Sequence, residues 1–239
     1  MSEDIRNYLR EIAQNDHIEV TEEQAGQFQT YLELLVEWNQ KMNLTAITEP
    51  KDVAVKHFLD SILLLPYIDA CKGPVSLIDV GTGAGFPGVP LKIMRPSLKL
   101  TLLDSLNKRL TFLKEVTDRL GLDAQIIHAR AEEGGRQKPL RTQFAFASAR
   151  AVAPMNLLCE YCLPFLKMGG TFLAMKGPGA EEEVQAAKHA IGVLGCELDG
   201  VDAFALPGGD ARSVVRITRV KPLDPAYPRH GSKIAKNPL

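Results

Sequence analysis

Residues 75–88 read VSLIDVGTGAGFPG, and this stretch decides the fold. The apolar run 75–80 predicts a buried strand, and the glycines at 81, 83 and 85 predict a tight turn directly after it. Glycines at alternate positions also let a ligand approach the main chain closely. The segment therefore predicts a ligand-binding loop at the carboxyl end of a buried strand.

The glycine spacing separates two classes of ligand. The dinucleotide fingerprint is G-x-G-x-x-G, whereas this loop reads G-x-G-x-G and has Phe86 at the position of the third glycine. Pro87 removes an N–H donor that a diphosphate would use, and Asp79 at the end of the strand favours a cationic ligand. A sulfonium cofactor therefore fits the loop better than NAD does.

Strands and helices alternate after the loop, which predicts a parallel sheet built from βαβ units. The loop at 206–210 contains no helix, so the final strand pair should be antiparallel. With the first strand this gives an α/β fold of seven strands. The further strands are predicted near 98–103, 124–128, 144–148, 171–175, 197–204 and 213–220, with helices at 108–120, 155–166 and 180–194.

The sequence before the loop has a different pattern. Apolar residues at helical spacing predict helices at 4–14, 21–44 and 51–67, the second of them capped by Thr21. The pattern changes at Gly73-Pro74. We therefore expect a helical cap at 1–70 and an α/β domain at 71–239, with Phe28 and Trp38 in the core.

Composition excludes several classes of protein. The chain has 239 residues, 45% of them apolar and 24% charged, with four cysteines, which is ordinary for a globular protein without disulfides. The N-terminus is acidic, unlike a signal peptide, and no apolar run approaches the roughly 20 residues of a membrane span. We expect a soluble, cytoplasmic protein that needs no membrane, and nothing demands more than a monomer.

Charge is unevenly distributed although the net charge is −1. Residues 1–37 hold nine acidic side chains against two arginines, and residues 211–239 hold seven Lys or Arg against Asp224. The basic segment can be a solubilising end or an edge that binds phosphates, and the sequence leaves both open.

Polar residues follow successive strands at the edge where ligands bind in open α/β sheets. Asp104 lies 23 residues after Gly81, where a carboxylate can accept hydrogen bonds from ribose hydroxyls. Ala131 and Glu132 follow the third strand, where an adenine edge would lie, and Arg150 ends the fourth. Together with Gly81, Gly83 and Gly85, these residues form the predicted cofactor site.

The chain resembles a bacterial family, the small-subunit (16S) ribosomal RNA guanine-N7 methyltransferases known as RsmG or GidB. The resemblance covers nearly the whole chain. The matching segments are Trp38-Asn39, Asn43-Leu44-Thr45, His57-Phe58-Leu59-Asp60-Ser61, the loop 79–88, Leu103-Asp104-Ser105, Lys108-Arg109, Phe112-Leu113, Arg150-Ala151-Val152-Ala153, Met175-Lys176-Gly177, Tyr227-Pro228-Arg229 and Lys236-Asn237-Pro238-Leu239.

The resemblance implies a Rossmann-like class I methyltransferase sheet and methylation of N7 of one guanine in 16S rRNA, free or in the small subunit. It implies S-adenosyl-L-methionine as the cofactor, held by Gly81, Phe86, Ala131, Glu132 and Arg150. One departure is Ala145, where the family often has Asp.

The sequence also offers candidates for RNA binding. The set comprises Asn39, His57, Lys108, Arg109, Lys176, Arg229 and Lys236, with Arg212 and Arg216 as further candidates for the RNA backbone. Asn39 can bond a turn or a base, and His57 can join the cap to the sheet or contact substrate; the sequence favours neither. Lys108 and Arg109 begin a helix, where cations oppose the helix dipole, which indicates phosphate contact.

Methylation at N7 needs no general base, because this nitrogen carries a lone pair and no proton, and the sequence names no catalytic residue. Residues 150–154 lack the Asn/Asp-Pro-Pro-aromatic motif of adenine amino methylation. Cys159 and Cys162 are interpreted as buried thiols, and no metal site is expected because Cys71 and Cys196 are isolated.

Two alternatives remain beside this interpretation. One is a small-molecule methyltransferase with the same cofactor domain, and the other is a non-catalytic RNA-binding assembly factor. The basic segment and the cap favour RNA over a small molecule, and the full set of strand-end residues favours an enzyme. A nicotinamide oxidoreductase is least compatible, since the chain has no Tyr-x-x-x-Lys pair.

Overall fold

A computed structural model describes residues 3–71 and 73–239, over which the chain forms a seven-stranded sheet in the order β3-β2-β1-β4-β5-β7-β6. Strand β7 is antiparallel to both neighbours and the remaining pairs are parallel, as the sequence predicts. The strands are β1 (Ser76–Val80), β2 (Lys99–Asp104), β3 (Ala124–His128), β4 (Phe144–Arg150), β5 (Leu166–Lys176), β6 (Cys196–Ala205) and β7 (Ala211–Arg219).

Some helices precede the first strand, the others follow it, and together they cover both faces of the sheet. Those of the N-terminal cap are α1 (Arg6–Asn15), α2 (Glu22–Asn39), α3 (Pro50–Val53), a π-helix (Ala54–Leu59), α4 (Asp60–Ile62) and α5 (Leu65–Asp69). Those that follow are α6 (Gly88–Met94), α7 (Asn107–Leu120), α8 (Ala131–Gly134), α9 (Met155–Cys162), a 3₁₀ turn (Leu163–Phe165), α10 (Ala180–Val193) and α11 (Gly231–Lys236). No helix of the described ranges combines the length and apolarity needed to cross a membrane.

Three predicted helices end or break earlier than expected. Helix α2 has the expected Thr21 cap but ends at Asn39, because Asn39 Oδ1 accepts the amide hydrogens of Leu44 and Thr45 at 2.8 and 3.0 Å. The helix predicted at 51–67 is interrupted before Pro66, whose ring removes an N–H donor. Pro164 likewise ends α9 early, and β5 begins at Leu166.

A continuous hydrophobic core joins the cap to one face of the sheet. Phe28 and Tyr31 of α2 pack with Phe58 of the π-helix, at ring-centroid distances of 4.9 and 5.4 Å. Tyr31 also contacts Phe86 of the glycine loop at 5.3 Å. The cap therefore lies directly on the glycine loop.

The opposite face of the sheet packs against α9 and α10. Cys159 and Cys162 are fully buried there, as predicted, and burial raises the pKa of both thiols. Such thiols are inert as nucleophiles, because the reactive species is the thiolate.

Candidate active site

Two cavities meet at the carboxyl ends of the central strands. The first has a volume of about 800 Å³ and lies beyond β1, β2 and β3. The second, of about 470 Å³, lies between β1, β4, β5 and the cap. Both are lined by Gly81, Arg109 and Ala151, so these residues form a shared wall. The two cavities therefore adjoin each other.

The loop between β1 and α6 is fixed by buried carboxylates. Asp79 is fully buried and accepts hydrogen bonds from Thr82, Gly88 and Ser148, at 2.6, 3.0 and 2.9 Å. It therefore holds the loop and does not face a cationic ligand, which corrects the interpretation of Asp79 from sequence.

Asp104 has a similar role at the end of β2 and also lines the first cavity. Its Oδ2 accepts the amide hydrogen of Gly83 at 2.9 Å and lies 3.4 Å from a guanidinium nitrogen of Arg109. Its Oδ1 accepts the amide hydrogen of Leu106 at 2.8 Å. The carboxylate thus fixes the glycine loop to the rim of the cavity.

The three predicted loop glycines serve different purposes. Gly81 has φ +66° and lines both cavities, and a Cβ there would come within 2.8 Å of Val152. Gly83 lines the second cavity. Gly85 lines neither; a Cβ there would come within 2.5 Å of the Tyr31 hydroxyl. Close packing with the cap therefore explains Gly85 better than cofactor contact does.

The C-terminal segment supplies a wall of the first cavity that sequence reasoning missed. His230, Gly231, Ser232 and Ala235 line it opposite Ala131 and Glu132. A Cβ on Gly231 would collide with the Glu132 carboxylate, so a larger residue cannot sit there without displacing Glu132. The resemblance marks the flanking residues 227–229 and 236–239 but carries no signal for this contact.

Arg229 holds this segment in place and is largely buried. Its guanidinium donates to both oxygens of Glu160, with a closest distance of 2.7 Å, and its backbone N–H donates to Glu160 Oε1 at 2.6 Å. The Glu160 side chain is 0% exposed. The guanidinium of Arg229 is thus paired within the protein, and its contact with RNA stays a prediction.

Arg150 lines the second cavity and not the first. Its guanidinium donates to Asp60 Oδ2 at 2.9 Å and to the Lys56 carbonyl at 3.1 Å. The same group lies over the ring of Phe86, 4.9 Å from its centroid. Arg150 and Phe86 thus form the floor of the second cavity and join β4 to the cap.

His57 lies against this floor. Its ring stacks on Phe86 at a centroid distance of 4.6 Å, Nε2 lies 2.8 Å from Thr45 Oγ1, and Nδ1 lies 3.2 Å from Arg150. Burial, with the charge of Arg150 adding to it, lowers the pKa of His57 to about 3. His57 is therefore neutral at physiological pH and joins the cap to the sheet.

This buried histidine should make stability depend on pH. The folded chain protonates His57 only near pH 3, whereas the unfolded chain does so near pH 6.5. The contribution of neutral His57 to the free energy of unfolding is thus present above pH 6.5 and is lost as the pH falls below 6.5. Between pH 6.5 and 5.5, we expect the unfolding free energy of wild type to fall by about 1 kcal/mol more than that of His57→Gln. Unfolding free energies are measured by urea titration at each pH, with the exposed His189→Gln as the control. Equal slopes of unfolding free energy against pH for wild type and His57→Gln would contradict the argument.

The other predicted substrate residues are placed as follows. Arg109 lies in the shared wall, and Lys176 lines the second cavity, paired with Glu183 at 2.7 Å. Lys108 and Lys236 are exposed. Asn39 accepts hydrogen bonds within the turn after α2 through Oδ1, and its contact with substrate stays a prediction. Of the further candidates, Arg212 lines the second cavity, and Arg216 pairs with Asp202 at 2.8 Å.

The two cavities differ in charge. The first is lined by Asp104, Glu132 and Glu133 against two arginines. The second is lined by five cationic side chains against Asp60 and Glu183; the cations are Lys56, Arg109, Arg150, Lys176 and Arg212. A cationic group is favoured in the first and a polyanion at the mouth of the second. Within the described ranges, no group of three His, Cys, Asp or Glu side chains could hold a metal ion.

Comparison with known proteins identifies the family. A family model described as "GidB: rRNA small subunit methyltransferase G" matches residues 24–212. The chain belongs to the GidB family of methyltransferases. The "Ribosomal RNA small subunit methyltransferase G" of Alkaliphilus metalliredigens is 48% identical to it over 233 residues, 97% of each chain. That of Desulforamulus reducens is 46% identical over 239 residues, 99% of each.

Solved structures similar to this GidB chain show its fold. An S-adenosylmethionine-dependent O-methyltransferase from Thermotoga maritima has a TM-score of 0.53 at 17% identity, covering 80% of this chain and 72% of that one. The [4+2]-cyclase SpnF has a TM-score of 0.55 at 12% identity, covering 84% and 97%. The GidB chain thus has the Rossmann-like class I methyltransferase fold, as the sequence predicts.

Proposed function

We propose that this chain transfers a methyl group from S-adenosylmethionine to N7 of a guanine in 16S ribosomal RNA. The observation that carries the proposal is a pair of cavities of opposite charge that share the wall of Gly81, Arg109 and Ala151. Membership of the GidB family supports the substrate class. We expect the enzyme to act in the cytoplasm as a monomer, on the free RNA or the small subunit.

The residues of the first cavity fit this cofactor. About 800 Å³ is within the range of ligand pockets, roughly 300–1,000 Å³. Asp104 and Glu132 can accept hydrogen bonds from ribose hydroxyls and from an amino group, and Gly81 leaves the main chain open to contact. When bound, S-adenosylmethionine supplies a methyl group activated by the adjoining sulfonium.

The second cavity would hold the base and its flanking phosphates. Phe86 and His57 stack on each other at the floor of this cavity, and Arg150 and Tyr31 also lie against the ring of Phe86. Arg109 reaches both cavities and could orient the RNA against the cofactor. The cations at the mouth would bind the RNA backbone, which positions the substrate without reading its sequence.

Methyl transfer to N7 requires alignment and no proton removal. Each titratable acceptor of the second cavity has at least one partner: His57 is neutral with partners at both nitrogens, and Glu183 pairs with Lys176. Asp60 pairs with Arg150. This arrangement supports direct in-line displacement, in which holding the reactants in line can supply about 7–11 kcal/mol of barrier reduction.

The test is labelled methyl transfer from S-adenosylmethionine to small ribosomal subunits and to free 16S RNA, both from cells lacking this gene. Chromatography of the product nucleosides should show the label in 7-methylguanosine. Label in another nucleoside would contradict the N7 assignment. Cofactor binding without transfer to either RNA would favour a small-molecule substrate, and absence of cofactor binding would favour the assembly factor.

The exposed lysines of α11 should contribute to RNA binding. We expect Lys233→Gln with Lys236→Gln to weaken RNA binding and to reduce the slope of log K against log salt by about 1.5. S-adenosylmethionine affinity should remain unchanged, because both side chains point to solvent. The matched control is Lys99→Gln with Lys188→Gln, which removes two exposed lysines outside both cavities. Equal salt slopes for the two double variants would count against a role of α11 in RNA binding.

A further inference from the structure

Asp60 is a buried carboxylate with one unsatisfied oxygen. The residue is 2% exposed and lines the second cavity from the cap side. Its Oδ2 accepts the hydrogen bond from Arg150 at 2.9 Å. Its Oδ1 receives no hydrogen bond from the described residues, although Arg212 Nε lies 3.5 Å away. A buried acceptor without a donor is unfavourable, so this oxygen favours a ligand that offers an N–H group.

Arg212 is the cation that lies beside this oxygen. It projects from β7, its side chain is 24% exposed, and its other hydrogen bond is to the carbonyl of the preceding residue, Ala211. A guanidinium held this weakly can turn toward an RNA phosphate when substrate arrives. Oδ1 would then be open to the cavity.

Guanine offers the complementary donors on the side of the base opposite to N7. Its Watson–Crick edge carries N–H groups at N1 and at the 2-amino group, whereas adenine has an acceptor at N1 and no 2-amino group. The shared wall of Gly81 and Ala151 lies at the ends of β1 and β4, and Asp60 of the cap lines the same second cavity. In the orientation we infer for the base, N7 faces the shared wall next to the cofactor cavity and the N1 and N2 edge faces Asp60.

We propose that Asp60 is a specificity-determining residue, whose Oδ1 accepts a hydrogen bond from N1 or from the 2-amino group of the target guanine. This assignment rests on the function proposed above. It gives the second cavity a means to distinguish guanine from adenine, both of which carry a methylatable N7.

The first test compares Asp60→Asn with wild type. Asparagine keeps the size of the side chain and an oxygen for Arg150, but it places an amide N–H₂ where the free acceptor stood. We expect kcat/KM for the RNA to fall by about 30-fold or more, because a charge-assisted hydrogen bond becomes a clash of donors. S-adenosylmethionine affinity, measured by calorimetry, should remain unchanged. Asp69→Asn, which alters a cap carboxylate paired with Arg95 outside both cavities, is the control.

The second test separates base recognition from a structural effect on Arg150. The methylated position is first mapped with wild type, and RNAs are then made with inosine or 2-aminopurine at that position alone. Inosine lacks the 2-amino group, and 2-aminopurine lacks the N1 proton. Compared with guanine, at least one analogue should lower the methylation rate of wild type by about tenfold or more. The same analogue should lower the rate of Asp60→Asn by no more than about threefold.

Each outcome decides between the two claims. The role of Asp60 would be overturned if wild type methylated both analogues as fast as guanine, or if the analogues lowered the rate of Asp60→Asn as much as that of wild type. The methyltransferase assignment would remain intact in either case. A mapping step that finds no 7-methylguanosine would remove the proposed function and the role of Asp60 with it.

Discussion

Gly81→Val should weaken S-adenosylmethionine binding by at least about 100-fold, or about 2.7 kcal/mol. A Cβ at this position already lies 2.8 Å from Val152, and the two further methyl groups of valine would extend into the wall that both cavities share. Main-chain contact with the cofactor would be blocked, and methyl transfer should be lost with it. Calorimetry with S-adenosylmethionine measures the effect.

Backbone strain must be separated from obstruction of the site, because valine disfavours the φ of +66° at Gly81. Gly121, at the end of α7, has φ +64° and no atom within 4 Å of its Cβ position. Gly121→Val therefore carries the same strain, about 1–3 kcal/mol, outside both cavities. If both variants bind the cofactor as wild type does, Gly81 is not part of the cofactor site.

Arg229→Met should strongly destabilise the folded chain. It would leave Glu160, 0% exposed, without the guanidinium that neutralises it. Removing one partner of a buried pair costs about 3–5 kcal/mol of unfolding free energy, measured by urea denaturation. The residues that follow Arg229 line the first cavity, so S-adenosylmethionine affinity should fall as well, by about tenfold or more.

Two comparisons define the cause of that loss. Glu160→Leu combined with Arg229→Met removes both charges and should recover most of the stability, because an apolar pair of similar volume can replace a buried ion pair. Lys114→Met breaks an exposed pair with Asp118 at 3.0 Å and should cost no more than about 0.5 kcal/mol. A similar small loss for Arg229→Met would show that Arg229 faces solvent after all.

Local patterns in the sequence were enough to predict the sheet. The run at 75–80, the alternation of strands and helices, and the helix-free loop at 206–210 led to seven strands with an antiparallel β7. The errors lie where a side chain or a proline acts on the backbone. Asn39, for example, ends α2 through hydrogen bonds to residues five and six positions later. Helices α8 and α11 were missed for a different reason, because they are too short to give a periodic signal.

The sequence predicts those residues of the candidate site whose position is determined by the order of the strands. It misses the residues that come together from segments far apart in the chain. Gly81, Asp104 and Glu132 lie together in the first cavity because each lies at or after the carboxyl end of a parallel strand. The sequence does not show that Arg229 pairs with a glutamate 69 residues away, or that His230 closes the same cavity. Exposed and buried arginines look alike in a sequence, because the fold alone determines their partners.

The contact between the cap and the glycine loop bears on how parts could be exchanged between relatives. Tyr31 donates a hydrogen bond to the carbonyl of Ala84, and its ring, with that of His57, packs on Phe86, which also lies beneath Arg150. A chimera joined near residue 70 would divide this group between two parents. A crossover that preserves function should transfer Phe86 and Arg150 together with the cap.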